Sequence, residues 1–131
     1  MKNVVILGAG TSGTMMANHL ESSLPKKEWK ITIIDQYKTH YYQPGFLFLP
    51  FDIYTTKQVK KKGAKFLPIG VNYIQEKIDL IVPENNKVLL ADSRELPYDI
   101  IIVATGTKTV PEEVEGMMSP KWYKNVFDFY T

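Results

Sequence analysis

Three glycines and one carboxylate are spaced to hold a pyrophosphate and a ribose. Gly8-Ala9-Gly10-Thr11-Ser12-Gly13 follows the unbroken apolar run Val4-Val5-Ile6-Leu7 and leads into a helix-forming stretch. Gly8 permits a tight turn off a strand, and Gly10 lets backbone approach a phosphate with no Cβ in the way. Gly13 allows the helix to pack closely on the sheet. The free N–H groups and positive dipole end of the helix then face the phosphates. Asp35 closes the next β-branched run, Ile31-Thr32-Ile33-Ile34. That is the position from which an acid accepts hydrogen bonds from an adenosine ribose. A carboxylate there also repels a 2′-phosphate. The competing readings are a plain strand–turn–helix and an Asp that only caps a turn.

Other reactive side chains carry weaker cases. His19 reads as a solvated helix-face residue. His40 reads as a loop residue that could hydrogen-bond a cofactor. Glu112, Glu113 and Glu115 read as a solvated turn, and no catalytic constellation or metal cluster emerges. Without cysteine there is no disulfide framework, thiolate site or redox dithiol in these residues.

Stepping outward to the elements, the helix is expected over Ser12–Leu24, with Met16, Ala17, Leu20 and Leu24 as its buried stripe and Pro25 as its stop. Residues 39–54 are an aromatic, proline-punctuated loop that must bury itself against something, either a flat cofactor, another domain or a local satellite core. A short helix is expected over Thr55–Lys62. Its cluster of Lys57, Lys60, Lys61, Lys62 and Lys65 suits a solvated face, or contact with anionic lipid or phosphate. Lys65–Ile69 is expected as the third parallel strand. A three-stranded antiparallel meander (71–74, 77–82 and 87–90) should replace the usual crossover helix, turning at Pro83-Glu84-Asn85-Asn86. Ile100–Val103 is the next parallel strand and ends in Ala104-Thr105-Gly106. The fold class is thus α/β, a Rossmann-like parallel sheet with an antiparallel meander crossover.

The 131 residues suit one domain with a single core, and 44% hydrophobic with 23% charged residues is ordinary for a globular protein. A net charge of +2 gives no argument for nucleic acid. The N-terminus carries too short an apolar run for a signal peptide or membrane span, so a cytoplasmic location is expected.

Taken together, the Gly8–Gly13 fingerprint, Asp35, the meander and Tyr98-Asp99-Ile100-Ile101-Ile102-Val103-Ala104-Thr105-Gly106 resemble the FAD-binding half of the two-dinucleotide-binding-domain flavoproteins. Tyr41-Tyr42-Gln43-Pro44-Gly45 and the Gly106-Thr107 exit look most like sulfide:quinone oxidoreductases, with type II NADH dehydrogenases next. The resemblance implies FAD, which the fingerprint alone does not separate from NAD. It implies Gly8, Gly10, Thr11, Ser12 and Gly13 at the pyrophosphate, Asp35 at the ribose, and backbone near Val71 at the adenine. Thr105 and Gly106 would lie along the cofactor, and Gln43 and Pro44 near the flavin.

Family members are several times longer. The resemblance therefore implies a truncated FAD/NAD(P)-binding domain over residues 1–110 and a 111–131 tail leading toward a missing half, which would hold the second nucleotide domain and the cysteines of sulfide chemistry. Expected consequences are an exposed Ile100–Val103 edge and an uncovered aromatic tail (Met117, Met118, Trp122, Tyr123, Phe127, Phe129, Tyr130), both favouring a homo-oligomer. Membrane-surface contact would belong to the full-length parent. A non-catalytic nucleotide- or partner-binding module is the remaining alternative.

Overall fold

The computed structural model describes residues 1–128, so Phe129 and Tyr130 of the expected aromatic tail lie outside the described residues. The chain divides into two compact units: residues 1–41 with 60–106, and residues 42–59 with those from 107 onward. The loop of residues 42–59 groups with the C-terminal stretch.

In the first unit the apolar runs become parallel strands. β1 (Lys2–Leu7) lies between β2 (Trp29–Asp35) and β9 (Ile100–Val103), and β5 (Val71–Gln75) lies outside β2. The register matches Val4 to both Ile31 and Ile100, and Asp35 to Gln75. Alternation then sorts the side chains to two faces. Val4, Ile6, Ile31 and Ile33 pack with Ala17 of α1 (Thr11–Ser23). Val5, Leu7, Ile34 and Ile74 pack instead with Val88 and Leu90. Both faces are covered, which is why these strands read as continuous apolar runs rather than alternating ones.

Val88 and Leu90 come from the antiparallel meander β6 (Ile78–Val82), β7 (Lys87–Leu90) and β8 (Glu95–Pro97). The meander exists, but one strand later than expected. Residues 71–74 belong to the parallel strand β5, and residues 95–97 supply the third meander strand. Lys65–Ile69, expected as the third parallel strand, instead follows and completes a 3-10 turn (Gly63–Phe66) and passes through Pro68, which has no N–H for a ladder.

The expected helix over Thr55–Lys62 shrinks to α2 (Thr56–Val59). Lys60–Lys62 form β4, paired antiparallel with β3 (Thr39–Tyr41). The buried stripe of α1 is also rotated. Gly13, Thr14 and Ala17 are buried, whereas Met16 is exposed.

The second unit contains a 3-10 helix over Gln43–Phe51, where a loop was expected. Pro44 sits in its first turn, where a missing N–H costs nothing. Tyr54 meets Tyr42 and Phe48 edge-on and Gly45 is buried against Val59, but Tyr42, Leu47, Phe48 and Phe51 remain exposed. Farther along, Trp122, Tyr123 and Phe127 form a second ring cluster.

Candidate dinucleotide site

The site is assembled at the carboxyl ends of β1, β2 and β9, where open α/β sheets bind their ligands. Gly8 leaves β1 with φ +96°, a left-handed conformation, while its N–H donates to the Ile34 carbonyl at 2.7 Å. A Cβ on Gly8 would strike the Ala104 carbonyl, and one on Gly13 would strike the Gly8 carbonyl. The turn, the helix and the end of β9 are therefore in backbone contact. Gly10 differs, because beyond its own chain neighbours no atom of the protein lies within 4 Å of its Cβ position. The space it opens faces outward from the protein's own packing.

α1 begins beside that space. Gly10 is its N-cap, no side chain caps it, and its first turn carries no acid. The first-turn N–H groups have no partner within the helix and present the positive end of its dipole. Thr11 and Ser12 are exposed at this end.

Asp35 ties the second strand to the turn. One carboxylate oxygen accepts the Ala9 N–H at 2.7 Å, and the other accepts the Tyr37 N–H at 2.7 Å. A carboxylate has about four acceptor positions, so capacity for further donors remains. The Ala9 carbonyl accepts the Thr14 hydroxyl at 3.1 Å and lies 3.3 Å from His40 Nδ1. Ala9 is thus gripped on both sides, and His40, whose ring packs at a tilt on Phe66, is part of the support of this loop.

A crevice of about 210 Å³ opens here, lined by Gly8, Ile34, Asp35, Gln36, Tyr37, Lys77, Ile78 and Thr105. Its size suits one end of a dinucleotide rather than the whole. Gly106 follows Thr105 with φ +73° and open space about it. Tyr73 lies nearby, its hydroxyl donating to the Tyr37 carbonyl at 3.0 Å. Burial, with the charge of Asp35 adding to it, pushes this phenol above its ordinary value.

The structure brings together Gly8, Gly10, Thr11, Ser12, Gly13, Asp35, Thr105 and Gly106. Val71 is not among them. It pairs with Ile31 at the opposite end of β5, whereas Gln75 pairs with Asp35. Four strand residues put Val71 about 13 Å from that end. The segment that reaches the crevice is Lys77–Ile78, and the misplacement follows from taking residues 65–69 as the parallel strand. Gln43 and Pro44 open the 3-10 helix of the other unit. Thr14, Tyr37 and Lys77 were missed because no motif marks them. Only the chain's path after Asp35 and Gln75 marks Tyr37 and Lys77, and only the seating of α1 on the sheet marks Thr14.

Known proteins match this arrangement. The family model described as pyridine nucleotide-disulphide oxidoreductase matches residues 2–129. The mitochondrial sulfide:quinone oxidoreductase of Dictyostelium discoideum is 32% identical over 120 residues, covering 89% of this chain and 26% of its own length. A type II NADH:quinone oxidoreductase of Haemophilus influenzae is 28% identical over 130 residues, covering 89% and 29%. The X-ray structure of the sulfide:quinone oxidoreductase of Aquifex aeolicus superposes with a TM-score of 0.72 at 27% identity, covering 84% of this chain and 25% of that one. The chain spans about a quarter of the length of these relatives. Domains of this family bind FAD. Its fingerprint, its parallel sheet and this match agree: the chain belongs to the pyridine nucleotide-disulphide oxidoreductase family.

Proposed function

We propose that this chain is the FAD-binding part of a sulfide:quinone oxidoreductase-type flavoprotein. The observation that carries the reading is the open face of Gly10. The protein's own packing demands glycine at positions 8 and 13 but not at 10, as expected where a phosphate takes the space. Gly8, Gly10, Thr11, Ser12 and Gly13 would hold the pyrophosphate, largely through backbone N–H groups at the start of α1. Asp35 would take the ribose hydroxyls while keeping the loop in place through Ala9. Lys77 and Ile78 replace Val71 at the adenosine end. Thr105 and Gly106 would line the path of the cofactor along β9, and Gln43 and Pro44 are kept as candidates for its flavin end.

Bound FAD supplies a two-electron acceptor, through which electrons pass from sulfide to a quinone in the parent enzyme. The residues of this chain bind and orient, and none is assigned a proton or covalent step. The match to a type II NADH:quinone oxidoreductase favours a second reading, in which the same domain serves an enzyme oxidising NADH. Both readings require FAD here.

The test is an absorbance spectrum and a thermal melt of the purified chain with and without FAD or NAD. A ligand that binds only the native state raises the melting temperature. A flavin spectrum that stays with the protein, or stabilisation by FAD well above NAD, is expected. Stabilisation by neither would overturn FAD binding by this chain.

A further inference from the structure

The peptide group between Ala9 and Gly10 is gripped by its carbonyl alone. That oxygen accepts the buried Thr14 hydroxyl at 3.1 Å and lies 3.3 Å from His40 Nδ1. A carbonyl only accepts, so the contact is a hydrogen bond when Nδ1 carries the proton. The neutral ring then keeps Nε2 bare. Thr14 comes from the first turns of α1, and His40 from β3, where it pairs with Lys61. The His40 ring rests on Phe66, with 4.9 Å between centroids.

A trans peptide is planar, so its C=O and N–H point in opposite directions. The preceding peptide shows the consequence. Asp35 draws the Ala9 N–H to itself, and the carbonyl of the same unit, that of Gly8, faces Gly13 instead. The Ala9–Gly10 peptide is likewise trans, because there is no cis bond among the described residues. Its carbonyl is drawn in by Thr14 and His40, so the Gly10 N–H points the other way. Gly10 is exposed, and among the described residues its N–H has no acceptor.

We propose that Thr14 and His40 are positioning residues that aim the Gly10 N–H at a phosphate oxygen of the bound dinucleotide. His40 thus serves the cofactor without reaching it. Both side chains act through the Ala9 carbonyl, which Asp35 does not hold. Turned by half a rotation, this peptide would set a carbonyl oxygen against the phosphate in place of a donor. The inference rests on the FAD reading above and names the side chains on which its phosphate contact depends.

The test is fluorescence titration of FAD into the chain and its variants, beside thermal melts and amide NMR spectra. His40→Phe keeps a ring on Phe66 but has no donor, and Thr14→Val keeps the shape but has no hydroxyl. Each should weaken FAD binding about fivefold to tenfold, the loss of one hydrogen bond. His40→Asn puts an amide N–H where Nδ1 stood. It loses the packing on Phe66 and should melt earlier than His40→Phe, yet bind FAD more tightly. A merely structural role would not cross stability and affinity in this way. Thr14→Ser should also keep binding, and His19→Asn, on the exposed face of α1, should behave as the parent. In the parent, FAD should shift the Gly10 amide proton downfield, by more than in His40→Phe or Thr14→Val. A parent chain that binds no FAD overturns the FAD reading and this inference with it. Equal FAD binding by the parent, His40→Phe and Thr14→Val overturns this inference alone, as do ring-nitrogen shifts that put the neutral His40 proton on Nε2.

Discussion

The carboxylate of Asp35 holds the amide of Ala9 at 2.7 Å across 26 residues of chain. The acid at the end of the second strand is therefore a brace for the glycine-rich turn. Asp35→Ala leaves the buried Ala9 N–H unpaired, at a cost of about 1–3 kcal/mol. Asp35→Asn keeps an acceptor oxygen and should cost less. Both should weaken FAD binding, by roughly tenfold or more for Ala. Melts and FAD titrations of the two variants check the order.

Glycine substitutions should separate fold from ligand. Gly8→Ala meets both a positive φ and the Ala104 carbonyl, and Gly13→Ala meets the Gly8 carbonyl. Each should destabilise by about 3 kcal/mol, roughly 10 °C in Tm. Gly10→Ala has no neighbour to strike and should melt as the parent does while losing FAD binding. Thermal melts beside FAD titrations read both effects. A Gly10→Ala protein that binds FAD normally would remove the argument from the open face.

Alkaline pH should weaken the fold through Tyr73. Its folded pKa lies above the ordinary phenol value of 10.0 because burial, then Asp35, disfavour the phenolate. Above pH 10 the unfolded chain releases this proton while the native one still holds it. Stability from this group is therefore complete below pH 10 and falls as pH rises through the folded value. Tyr73→Phe should flatten that part of the stability–pH curve, as followed by denaturant melts at increasing pH.

β9 is the last strand of its sheet, and Val103 is 63% exposed on it. An uncharged edge invites pairing with another chain. Self-association is expected to rise with concentration, and Val103→Lys should raise the monomer fraction in light scattering.

Much of this site could be read directly from residue types. The apolar run, the glycine spacing, Asp35 and the Ile100–Val103 strand each combine a local conformational demand with burial on two faces. Where the reading slipped, tertiary pairing overrode local preference. Lys60–Lys62 suit a helix in isolation, but β3 captures them as a strand. Met16 fits the helical stripe as well as Thr14 does. Only the need for Gly13 to touch the Gly8 carbonyl turns Thr14 inward instead. Pro68, with no N–H for a ladder, argues against a strand over Lys65–Ile69, and moving the parallel strand to Val71–Gln75 shifts the meander one strand later.

The position of β1 between β2 and β9 has a consequence for synthesis. β1 leaves the ribosome well before β9, its neighbour on one side, whose residues lie about 96 positions later, as Asp99 does from Asn3. At about 5–20 residues per second, the stretch from Asp35 to Ile100 takes roughly 3–13 s to emerge. Throughout that interval Val4-Val5-Ile6-Leu7 keeps one edge bare. A nascent chain of this order has reason to be shielded by a chaperone until β9 arrives.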